Sequence, residues 1–150
     1  MCGIVGITSS KSVTSMIVNS LRKLEYRGYD SSGIATLHNG NINEVKCEGR
    51  VDALEKNLEK NKLEGNIGIG HVRWATHGVP STINAHPHSS EKVSVVHNGI
   101  IENSTSLKTH LLSKGHKFKS QTDTEVIVHL ITELLKDNDL KNSILKMLKQ

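Results

Sequence analysis

The chain has 150 residues, 35% of them hydrophobic, with one Trp, one Phe, two Tyr and a formal net charge of +4 at pH 7. That length holds one domain with an aliphatic core, and no apolar run reaches the roughly 20 residues that a membrane span needs. The lysines are spread over helical stretches and aromatics are nearly absent, which describes solvated helix faces and argues against a nucleic-acid surface.

The chain opens MCGIVGI, with Cys2 directly after the start methionine. This segment lacks a basic flank and is too short for a secretory signal, so a soluble cytoplasmic protein with no membrane association is expected. The other cysteine, Cys47, reads as a quiet structural residue. Residues 3–8 read as a short, fully buried strand. Val13, Ile17, Leu21 and Leu24 then recur at helical spacing up to Gly28. Next comes SSGIATLHNG, a strand ending in the Asn39-Gly40 hairpin signal, and NINEVKCEG as its partner. VDALEKNLEK reads as a short helix and residues 65–74 as a strand, leading into a loop rich in His, Gly and Pro. Residues 92–101 read as a further strand, and STSLKTHLLSKG as a helix closed by Gly115. Thr122 to Glu125 reads as a capping box for the helix EVIVHLITELLK, and a last helix covers about 139–149. Adjacent strands and grouped helices predict an α+β fold with a mixed or antiparallel sheet. The helical pattern is still running at Gln150, so less than a complete domain is expected.

Polar residues cluster at Cys2, in HVRWATHG with NAHPH, in HNGIIEN and in SQTDTE. Singly, each has a structural explanation: small hydrophobe, surface packing, tight turn, helix-end charge. Together they supply acyl transfer from a carboxamide. A cysteine thiol of ordinary pKa is only a few per cent ionised at neutral pH. Removal of Met1 would give Cys2 a free α-amino group, of pKa about 7.7–8.0, as its own general base. Asn98 and Gly99 can offer a side-chain amide and a backbone N–H to the oxyanion. For an amino-acid donor, Arg73 suits the α-carboxylate and Asp123 the α-ammonium.

CGIVGI, LEYRGYDSSGIA (24–35), GHVRWATHG (70–78), NAHPH (84–88), HNGIIEN (97–103) and TDTEVI (122–127) resemble the glutaminase domain of the glutamine:fructose-6-phosphate amidotransferases, also called glucosamine-6-phosphate synthases. These are class II, N-terminal-nucleophile amidotransferases. Six blocks in the right order cover essentially the whole chain. Phosphoribosyl-pyrophosphate amidotransferases look like RY-S-T where this chain has RWATHG, and asparagine synthetases lack EYRGYDSSG.

The resemblance implies a four-layer α/β/β/α sandwich of two antiparallel sheets, the N-terminal nucleophile hydrolase fold, incomplete at the C-terminus. It implies that Cys2 is the nucleophile, that Asn98 and Gly99 form the oxyanion hole, and that Arg73 and Asp123 hold the glutamine backbone groups. Thr76, His77 and His86 would line the glutamine pocket, Trp74 would lie on a loop that closes over the substrate, and Arg27 and Gly28 would sit near the nucleophile. Residues 1–150 would be the N-terminal part of the glutaminase domain, taking L-glutamine. Fructose-6-phosphate would bind only through a sugar isomerase domain absent here, and the full-length family would allow a homodimer. No cofactor is expected.

Two other readings compete. His71, His77, His86, His88 and His97 fall close together, but their spacing matches no compact zinc ligand set. A truncated, non-catalytic remnant or binding module keeping the glutaminase fold is the second.

Overall fold

The computed structural model describes residues 2–75 and 78–150. Four strands form the main sheet, all antiparallel: β1 (Gly3–Thr8), β2 (Ser31–His38), β3 (Asn41–Glu48) and β4 (Ile67–Arg73), in the spatial order β1-β4-β2-β3. Register is fixed by the β2–β3 hairpin, where Asn39 (φ 49°) and Gly40 (φ 79°) take the left-handed conformations of a two-residue turn. Gly3 pairs with Val72 and Ser31 with Arg73, so the start of β1 and the end of β4 lie side by side.

Helices α1 (Thr14–Leu24) and α2 (Val51–Lys60) cover one face of this sheet. Ile17, Leu21, Val51 and Leu54 meet Ile34 and Val72 in a core that is aliphatic apart from Cys47, as the helical spacing predicts. A single 3₁₀ turn, Glu25–Arg27, finishes α1 before Gly28.

The opposite face of the sheet meets the segment after β4. It carries a second antiparallel pair of two residues each, β5 (His88–Ser89) and β6 (Ser94–Val95). A Cβ on Gly33 would sit 2.3 Å from the His86 carbonyl oxygen, so only glycine lets this segment lie against β2. Lys46 Nζ donates to the Pro87 carbonyl (3.1 Å), and Ser89 Oγ to Glu44 (2.6 Å), across the same gap. Beyond lie α3 (Ser104–Ser113), α4 (Glu125–Leu134) and α5 (Leu140–Met147) around a second core of Val93, Leu111, Val126, Ile127, Leu130 and Ile131. The layers therefore run helix, sheet, sheet, helix, as expected.

Three local expectations are corrected. The first strand is not fully buried: β1 is an edge strand with α1 on one face only, so Val5 and Ile7 join the core while Ile4 is 41% exposed. The strand over 92–101 shrinks to Ser94–Val95, because Ser90 N–H already closes a turn onto the Val93 carbonyl and His97 N–H turns to the His86 ring. The capping box does not form. Glu125 instead accepts from the N–H groups of Lys119 and Ser120, and Thr122 bonds His88.

Candidate active site

One cavity of about 290 Å³ opens where the end of β4 meets the start of β1, lined by Cys2, Arg27, Arg73, Trp74, His86, Asn98, Gly99 and Asp123 among others. Of the site residues expected from sequence, these eight come together there. Gly28 lies just behind: a Cβ on it would meet the Arg73 carbonyl carbon at 2.5 Å and the Trp74 nitrogen at 2.8 Å. Its lack of a side chain lets the 3₁₀ turn pack against the strand end. Thr76 and His77 fall outside the described residues, as does Met1.

Cys2 Sγ accepts from the Trp74 backbone N–H at 3.3 Å. Its carbonyl oxygen accepts from Arg27 Nε (3.1 Å) and from Asn98 Nδ2 (3.2 Å). The nucleophile candidate is thus gripped at sulfur and backbone by three separate segments. Gly99 follows Asn98 with φ 149°, a backbone that side chains rarely adopt.

Arg73 is almost wholly buried at the end of β4. Its guanidinium donates to the Gly78 carbonyl (3.2 Å) and stands 4.0 Å from Asp30 Oδ1. Asp30 also accepts from the Ala75 N–H, so one carboxylate braces both the arginine and the backbone just past Trp74. Asp123 Oδ2 accepts from Ile101 N–H at 2.7 Å, tying the α4 approach to the loop that carries Asn98 and Gly99. The Trp74 ring packs edge-on against Tyr29 (5.4 Å between centroids) and remains 47% exposed.

Under the pocket lie three histidines. His71 stacks on His86 (4.4 Å), and His86 meets His88 edge-on (4.7 Å). Burial pushes His71 and His88 down to about 4, with Arg73 adding to the effect on both, and drives His86 lower still. All three rings are neutral at pH 7. They form an uncharged floor beside the arginine cations, and Asp123 supplies a carboxylate. Such a pocket can seat a small zwitterion with its reactive end at a thiol. Among the described residues no group of three or more His, Cys, Asp or Glu is arranged to hold a metal ion.

Sequence reasoning assigned no site role to His71, His97, Thr122 and Thr124, which also line the cavity, or to Asp30. A signal existed for His71. It stands two residues before Arg73 on a strand, so it shares that residue's face.

Residues 57–141 match the family model described as glutamine amidotransferase domain. The glutamine–fructose-6-phosphate aminotransferase (isomerizing) of Bartonella henselae is 57% identical over 91% of this chain, and that of Clostridium acetobutylicum is 59% identical over 92%. The chain spans only 22% and 23% of the lengths of these two relatives. A solved Bacillus subtilis glutamine phosphoribosylpyrophosphate amidotransferase, complexed with ADP and GMP, superimposes with a TM-score of 0.83 at 29% identity. That match covers 99% of this chain and 32% of the solved one.

Proposed function

The chain belongs to the glutamine amidotransferase domain family, and from that premise we propose that it releases ammonia from L-glutamine through a thioester on Cys2. The observation that carries this reading is the convergence of a thiol, an amide donor, a guanidinium and a carboxylate on one cavity.

With Met1 removed, the α-amino group of Cys2 takes the thiol proton. The thiolate attacks the carboxamide carbon, and the negative charge that develops on the amide oxygen is met by Asn98 Nδ2 and the Gly99 N–H. The proton passes to the nitrogen, the C–N bond breaks and ammonia leaves. Water, activated by the same amine, then attacks the thioester to give glutamate and the free thiol. Arg73 and Asp123 grip the α-carboxylate and α-ammonium. That grip fixes the side chain's reach to the sulfur and turns the attack into an intramolecular step. His86, with Thr76 and His77, borders the glutamine, Trp74 covers it, and Arg27 and Gly28 hold the Cys2 end in place.

In the longer relatives the name includes fructose-6-phosphate. We propose that ammonia made here goes to that acceptor on a separate sugar isomerase domain, with residues 1–150 forming the N-terminal part of the glutaminase domain, in the cytoplasm. The test is glutamine hydrolysis by the chain and by Cys2→Ala, with intact-mass measurement of the N-terminus and labelling by diazo-oxonorleucine. Turnover and labelling that both vanish in Cys2→Ala support the reading. Equal background in the two proteins leaves a non-catalytic module, and normal turnover with Met1 still attached removes the amine from the mechanism.

A further inference from the structure

The orientation of the Asn98 amide follows from a chain of hydrogen-bond constraints. The Cys2 carbonyl oxygen can only accept, so the Asn98 terminus facing it at 3.2 Å is the NH₂ group. The other terminus, Oδ1, lies 3.0 Å from His71 Nε2 and can also only accept, so that ring nitrogen carries a hydrogen. His71 is fully buried at one end of the histidine row, and burial holds its pKa down to about 4. At neutral pH it therefore has a single N–H, and the geometry assigns it to Nε2. In agreement, Nδ1 has no hydrogen-bond partner among the described residues.

The ring itself cannot turn freely. His71 sits on β4 between Ile4 of β1 and Gly33 of β2, and its face is stacked on His86. Asn98, by contrast, is exposed on a loop, and its side chain has two other staggered positions and a flipped amide open to it. A flipped amide would aim a carbonyl oxygen at the place where negative charge develops.

We propose that His71 is the positioning residue of the oxyanion hole: its Nε2–H holds Asn98 Oδ1 and so keeps the NH₂ aimed toward the Cys2 side of the pocket. This rests on the reading of Cys2 as nucleophile and deepens it. His71 touches no reacting atom; it acts only through Asn98.

The test compares His71→Leu, which removes the donor, with His71→Gln, whose amide N–H reaches a similar point. Each is made in the parent and in an Asn98→Ala background, and kcat and KM for glutamine hydrolysis are measured. Loss of one oxyanion donor costs about 10²–10³ in rate, and a misaimed donor should cost His71→Leu about 10- to 100-fold in kcat with KM changed little. His71→Gln should recover most of that. In Asn98→Ala, His71→Leu should add less than about twofold, because the two residues act as one unit. Equal losses in Leu and Gln variants, or the same loss with and without Asn98, overturn the proposal.

Should the leucine variant fail to fold, the imidazole ¹⁵N spectrum of the unaltered chain decides instead. An Nε2–H tautomer at neutral pH supports the assignment and an Nδ1–H tautomer sinks it. A parent chain with no Cys2-dependent hydrolysis would count against the proposed function, while the tautomer would still decide the His71–Asn98 bond.

Discussion

The two banks of the pocket are held by different forces. One bank, carrying Cys2 and Arg73, hangs on a four-stranded ladder backed by an aliphatic core. The other, carrying Asn98, Gly99 and Asp123, has a ladder of only two residues per strand. A smaller apolar core lies behind it, but the loops facing the pocket are shaped by polar side chains. Asn84 Nδ2 and Oδ1 clamp Gln121 (3.1 and 2.9 Å), Thr122 bonds His88 (2.8 Å), and Glu125 takes Ser120 by N–H and hydroxyl. Apolar burial is non-directional and forgives small shifts, whereas a polar network works in one geometry and is costly when half-made. The cavity opens where a stiff scaffold faces a finely bonded loop.

The largest effect of a single substitution should come from the scaffold. Leu54→Ala empties a fully buried site between α2 and the sheet and should cost about 2–5 kcal/mol in denaturant unfolding. A loss well under about 1 kcal/mol would mean that the aliphatic core is not what carries this bank.

Acid should strike the histidine floor, where His71 of β4 stacks on His86 of the other bank. The folded-state values of His71 and His88 lie near 4, below the ordinary 6.5, so the unfolded chain binds more protons once pH falls under 6.5. Their contribution is complete above that point and is withdrawn toward pH 4, on the order of 3 kcal/mol for each ring. Burial would raise the Glu125 carboxyl, but bonds from His129, Ser120 and the Lys119 and Ser120 N–H groups outweigh it and bring it to about 2. Its share is therefore lost between about 4.5 and 2. Thermal midpoints measured across this range should fall as pH drops below 6.5. Hydrogen exchange should show residues 84–101 opening before the main sheet, and simultaneous opening would erase the contrast between banks.

A smaller loss is expected for Glu125→Gln, which keeps the shape but replaces a charged acceptor, at about 1.5–3 kcal/mol. It should raise KM for glutamine as well, through slack in the loop that presents Asp123. Smallest of all is Arg22→Ala. It removes an exposed contact to Asp52 and Glu55 between α1 and α2, and the unfolding midpoint should stay within experimental error.

The same division explains what sequence could reveal. Elements of the scaffold bank were legible nearly to the residue: α2 falls on Val51–Lys60 and β2 stops at the Asn39-Gly40 turn, since apolar period and turn chemistry decide both. On the loop bank, Val93 and Val95 alternate with Lys92 and Ser94 like a strand. Yet His97 N–H finds the ring of His86, eleven residues back, and pairing stops. Glu125 likewise looks like a helix cap until it reaches Ser120. Long-range bonds between polar side chains have no period to read. Cys2, Asn98, Gly99, Arg73 and Asp123 emerged because a reaction demanded their chemistry, and Asp30 stayed hidden because its task is bracing.

The docking of Cys2 sulfur on the Trp74 N–H has one more consequence. Sulfur and guanidinium ride on neighbouring rungs of the same sheet, so any bending of that sheet carries both along and leaves their spacing unaltered. Adjustment to an arriving amino acid must then come from across the gap, where Asn98 and Asp123 are held by side-chain bonds and not by a ladder. The fold behaves like a vice with one fixed jaw.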